Sequence, residues 1–98
     1  MIEVQREASG EELAFMVTVR EGASNTLHHV TMTPALAKRL GSDRATPEQC
    51  VEAAFRFLLD REPKESILSA FDVAVIARYF PEFDREIAAY LPAPGHAG

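Results

Sequence analysis

The chain has 98 residues, 47% of them hydrophobic and 26% charged, with one cysteine and a formal charge of −5 at pH 7. This is one domain's worth of chain with enough apolar material for its own core, which excludes wholesale disorder and a disulfide-stapled scaffold. The charge excludes a globally basic, phosphate-seeking protein, and the apolar runs fall far short of the roughly 18–20 residues a membrane helix needs.

The start MIEVQRE has neither the basic nor the apolar region of a secretory signal. With Cys50 alone there is no internal disulfide to form, and a reducing, cytoplasmic setting is predicted.

Ile2, Val4 and Arg6 alternate with Glu3, Gln5 and Glu7, which predicts a first strand over residues 2–7 with one apolar face. Ser9–Gly10 is turn chemistry. Leu13, Phe15, Val17 and Val19 alternate with Ala14, Met16, Thr18 and Arg20, so a second strand runs from about Glu12 to Arg20. Glu21-Gly22-Ala23-Ser24-Asn25 suits a hairpin loop, and a third strand follows from about Thr26 to Met32. Two short connections in series predict an antiparallel meander.

At Thr33–Pro34 the hydrophobic period changes from two to three and four. Thr33 caps a helix over Pro34–Leu40, with Pro at its first position and Gly41 as its stop. Ser42–Ala45 is a polar linker. Thr46-Pro47-Glu48-Gln49 repeats the start as a capping box, and Val51, Ala54, Phe55 and Leu58 place one apolar face on a helix reaching about Asp60. Pro63 ends it.

Beyond Glu65 the pattern is more punctuated. Ile67, Leu68 and Phe71 predict one helical turn, and Asp72 caps a helix through Val73, Ile76, Ala77 and Phe80 that Pro81 terminates or restarts. Phe83, Ile87 and Leu91 line one side of a last helix, and residues 93–98 read as a disordered tail. The expected fold is one α+β domain over residues 1–92: a three-stranded antiparallel meander at the N-terminus, then three to four helices packed on one face.

The stretch REPKESILSAFDVAVIARYFPEF, residues 61–83, resembles the C-terminal signature of short uncharacterised bacterial proteins. The resemblance extends more weakly over residues 28–60. It implies a bacterial source and a β-then-α layout, and it supplies no reaction, substrate or catalytic residue. The layout is also loosely similar to that of small antitoxin-like proteins, a likeness that no motif carries.

Several residues are candidates for chemistry. His28 and His29 are neighbours on a strand and point to opposite faces, so one is expected to be buried and the other exposed, and they cannot share a metal ion. No CxxC, HxxxH or HExxH spacing accompanies them, so no metal or other cofactor is expected. Cys50 lies beside Val51 and Ala54, with the acidic Glu48 and Glu52 near it, and reads as a small core residue. In Arg61-Glu62-Pro63-Lys64-Glu65-Ser66, Pro63 stops one helix and Ser66 caps the next, while Arg61 and Lys64 are candidate partner-binding residues. Arg78, Tyr79, Phe80 and Phe83 form a second candidate partner-binding group, three aromatics within five residues.

A DNA-reading helix-turn-helix needs exposed basic or amide side chains on its second helix, and between Asp72 and Phe80 only Arg78 qualifies. GxSxG, GxGxxG and P-loop motifs are missing, and no catalytic residue is assigned. The sequence therefore predicts a non-enzymatic cytoplasmic protein-interaction module that binds a protein partner or itself as a homodimer, without membrane. The alternative is an accessory regulator associated with nucleic acid, directly or through a partner.

Overall fold

A computed structural model describes residues 1–92, and the tail predicted for residues 93–98 lies outside the described residues. Strands β1 (Ile2–Ala8), β2 (Leu13–Glu21) and β3 (Ser24–Met32) form the expected antiparallel meander. Val4 stands opposite Val17, and Val17 opposite His28, so one face collects Leu13, Phe15, Val17, Val19, Val30 and Met32. The β2–β3 connection is tighter than the five-residue loop expected. The strands reach Glu21 and Ser24, and Gly22 takes φ 59°, a left-handed conformation that side-chain-bearing residues rarely adopt.

Helices α1 (Pro34–Gly41) and α2 (Pro47–Leu59) start as their caps require. The Thr33 hydroxyl accepts from Leu36 N–H at 3.1 Å. At Thr46 the capping box closes in both directions, at 2.8 and 3.1 Å. Gly41 plays a different part from the stop expected of it. The left-handed residues after α1 are Ser42 (φ 50°) and Asp43 (φ 62°), and Gly41 is helical and buried. A Cβ at Gly41 would stand 3.2 Å from the Cys50 sulfur, so glycine here permits the close approach of α1 and α2.

The C-terminal third differs most from expectation. No helical turn forms at Ile67–Phe71; the chain there is extended and adds a fourth strand, β4 (Ala70–Asp72), parallel to β3. Val30 lies opposite Phe71, and the Thr31 hydroxyl donates to Asp72 at 2.6 Å. Ser66 accordingly caps no helix and closes a single 3-10 turn, Lys64–Ser66. Asp72 does cap the turn after it, accepting from Ala74 N–H at 2.9 Å. That 3-10 turn (Val73–Val75) leads into α3 (Ile76–Tyr79), and α4 (Phe83–Glu86) continues as a 3-10 turn, Ile87–Tyr90. Sheet order is β1-β2-β3-β4.

Phe55 and Phe57 of α2 are both fully buried, and each collects aromatic neighbours. Phe55 meets His28 at 5.2 Å and Phe71 at 5.8 Å between ring centroids. Phe57 is ringed by Phe83 at 5.0 Å and by Phe80 and Tyr90 at 5.9 Å, all edge-on. The Arg61 guanidinium covers the same ring, 3.6 Å from its centroid. It also donates to Glu82 at 3.1 Å, to Glu86 at 2.6 Å and to the Phe57 carbonyl at 3.1 Å, so one side chain fastens the end of α2 to α4.

This packing can be tested at two points. Phe57→Ala removes the ring that three aromatics and a guanidinium share, and it should cost about 3–5 kcal/mol in a denaturant titration. Glu82 accepts from a backbone amide and from Arg61, which together hold its carboxyl below the usual carboxylate range. A lowered pKa gives stability that is present above the ordinary value and lost as pH falls through and below it. Melting curves should therefore show Glu82→Gln below the parent protein at pH 7, with the gap shrinking between about pH 5 and 3.

Candidate functional site

The residues singled out for chemistry fall into three settings. Cys50 and His28 are core. Cys50 is fully buried with its sulfur 3.7 Å from the Ala37 carbonyl, and burial pushes its thiol pKa up, away from the thiolate a nucleophile needs. His28 is 2% exposed. Its Nδ1 lies 2.7 Å from the Leu68 carbonyl and its Nε2 2.9 Å from the Thr26 hydroxyl. A carbonyl can only accept, so Nδ1 carries the proton, and the imidazole binds β3 to the segment that leads into β4. His29 points to the opposite face, exposed, 3.9 Å from Glu7. No group of three or more His, Cys, Asp or Glu side chains among the described residues is arranged to hold a metal ion.

Arg61 and Lys64 are structural fasteners. Arg61 holds α4 to α2 as described. The Lys64 side chain is buried along its length, and its amine meets Glu65 at 2.7 Å and Glu21, at the β2–β3 hairpin, at 3.6 Å. The Glu65 carboxylate favours the ammonium form and is itself held below its usual range. Both cations were expected to face a partner, and both are already engaged within the chain. Phe83, a further candidate partner-binding residue, is 1% exposed and packs against Phe57. A chain with only short helices after α2 needs that ring to close its second layer.

Tyr79 and Phe80 are placed differently. They line a groove of about 230 Å³ with Leu58 and Glu62 at the end of α2, with Ser66, Ile67, Leu68 and Phe71 before and within β4, and with Val75 and Ile76. Two large apolar side chains on it face solvent: Leu68 is 51% exposed and Tyr79 68%. Among the described residues, the polar atoms of its lining side chains come from Glu62, Ser66 and Tyr79. Arg78 is exposed beside Tyr79 on α3 and does not line the groove.

The geometry explains why Leu68 is outward. In an extended segment neighbours point to opposite sides; Ile67 is buried, so Leu68 faces out, and His28 holds the Leu68 carbonyl toward β3. Sequence pattern missed the contributions of Leu68, Phe71 and Val75, because an apolar run with helical spacing conceals an extended segment. No local signal separates the two readings, because the stretch is too short to show a period of two.

No family model matches the chain, and no curated protein or solved structure matches it either.

Proposed function

We propose that the chain is a small, non-enzymatic interaction module of the cytoplasm, and that it binds a partner protein through the groove beside β4. The observation that carries this reading is the pairing of exposed Leu68 and Tyr79 on one apolar groove. Exposed large apolar side chains grouped around a concave surface mark binding sites more often than singly scattered ones do. A volume of about 230 Å³ is small beside the several hundred cubic ångströms of typical small-molecule sites, and it suits one or two side chains of a partner. Glu62 on the lining favours a partner with a basic residue next to its apolar anchor.

The non-enzymatic reading is supported by the poverty of polar groups in the groove and by the settings of Cys50 and His28, both committed to the core. The preference for protein over nucleic acid rests on charge. Of the ten lysines and arginines, seven lie within 4 Å of a carboxylate: Arg6, Arg20, Arg39, Arg56, Arg61, Lys64 and Arg85. Each of these cations therefore has a carboxylate beside it that repels phosphate, in a chain of net charge −5.

Selection from a random peptide library on the immobilised chain tests the groove. Enriched peptides should carry bulky apolar anchors with a basic neighbour, and Leu68→Glu should lower their affinity at least tenfold while the fold persists. Leu27→Glu, at an exposed apolar position on β3 that does not line the groove, should leave affinity unchanged. Peptides that bind Leu68→Glu as well as the parent would sink this reading.

Nucleic acid is tested separately. At micromolar protein in low salt, mixed-sequence DNA or RNA should show no salt-sensitive binding. A clear shift in those conditions would make nucleic acid the better proposal.

A further inference from the structure

We propose that the free edge of β1 is a self-pairing surface. A second copy of the chain adds its own β1 there, antiparallel, about a two-fold axis through Val4.

The phase of the backbone is the first support. Met1 and Arg20 exchange both of their main-chain bonds, at 2.7 and 2.8 Å. Bonded and non-bonded pairs alternate along an antiparallel ladder. Glu3 and Gln5 therefore bond back to β2, while Ile2, Val4 and Arg6 turn their N–H and C=O groups outward. Sheet order among the described residues leaves β1 at an edge, and the strand contains neither proline nor lysine to discourage pairing.

Charge then selects the register. A two-fold axis normal to the sheet can pair only residues that share a face. Centring it on Glu3 sets Glu3 against Glu3. Centring it on Gln5 sets Glu3 against Glu7 twice, and it draws on Ala8, beyond the irregularity between Arg6 and Ala8. Centring it on Val4 opposes Val4 to Val4, Ile2 to Arg6 and Glu3 to Gln5, with no like charges facing. In that register every outward backbone group of Ile2, Val4 and Arg6 finds a partner.

Arg6 would ordinarily guard such an edge, since an inward-pointing charge on an edge strand opposes pairing. Here its guanidinium is drawn away. Nε and Nη2 each donate to Glu48 at 2.8 Å, and the group lies 5.8 Å from the centroid of Phe15 on β2. What remains toward the edge is its aliphatic stem, which suits Ile2 of the second copy. Ile2 and Val4 are only half-buried in the single chain and pack on the core, so the second copy completes their cover.

The result is one eight-stranded sheet with both sets of helices on the same face. The grooves beside β4 lie at its two outer ends, where pairing leaves them open. Pairing at β1 is independent of whatever the grooves bind.

Sedimentation velocity on the full chain should show a monomer–dimer equilibrium, weak because an edge pairing buries less than a standard interface, with half-dissociation on the order of micromolar. The register has its own test. Glu3→Cys mixed with Gln5→Cys should form a disulfide-linked heterodimer under mild oxidation, because a non-bonded antiparallel pair brings Cα atoms to about 4.5 Å. Each variant alone should not cross-link, and buried Cys50 does not compete. Val4→Pro removes an outward N–H without touching the β1–β2 ladder, and it should give a monomer with an unchanged circular dichroism spectrum. A parent chain that stays monomeric at several hundred micromolar overturns the proposal. So does Gln5→Cys cross-linking alone as efficiently as the mixture.

Discussion

Helix α2 is buried on nearly every side, and most of the fold exists to bury it. Phe55 and Phe57 are two positions apart, which at about 100° per residue places their rings on opposite sides of the helix. Both are fully buried, with Cys50, Val51, Ala53, Ala54 and Leu58 filling the angles between them. A helix that is apolar on one stripe needs one layer against it; this helix needs two. The sheet supplies the first through His28 and Phe71. The second must come from the residues after Pro63, and this explains why so punctuated a segment is held so closely.

That second layer is made of short pieces, and charged side chains fasten it. Neither α3 nor α4, at four residues each, would hold as an isolated helix. Phe80, Phe83 and Tyr90 bring them onto Phe57, and Arg61 locks the arrangement from the outside by lying over the same ring and gripping Glu82 and Glu86. Lys64 does a related service for the hairpin at Glu21. These two cations looked in the sequence like residues offered to a partner. Polar residues clustered in a loop read as solvent-facing, but a guanidinium or ammonium on a long apolar stem can lie along a core and still satisfy its charge at the rim.

What the sequence made legible was whatever repeats over several residues or is signalled at a terminus. Strands β1 to β3 carry period two over seven to nine residues, and α1 and α2 carry explicit caps at Thr33 and Thr46. β4 has three residues, too few for any period, and its stability comes from β3, some forty positions earlier. Gly41 was legible as a helix end but not as the point where α1 meets Cys50, since only the packed pair shows the 3.2 Å approach. The buried and exposed histidines were separable by strand parity alone. The groove was not, because it depends on Leu68 lying in extended chain, and that depends on His28 reaching its carbonyl across the fold.

The groove and the β1 edge lie at opposite ends of the sheet. β4 ends one side of the sheet with three residues, and the chain turns at once into the Asp72 cap and α3, so the groove lies at that end of the sheet. β1 ends the other side with seven residues, and its outward backbone groups meet no further strand among the described residues. A sheet with a side-chain-lined groove at one end and the backbone of a seven-residue strand at the other has two distinct kinds of surface. In the binding proposed here, side chains around the groove would discriminate by shape and by the charge of Glu62, and the backbone of β1 by register, through the signs of Glu3, Arg6 and Glu7. Because the two lie at opposite ends of one sheet, the pairing proposed at β1 would double the number of grooves without covering either, and binding of a repeated or dimeric partner would then gain from both at once.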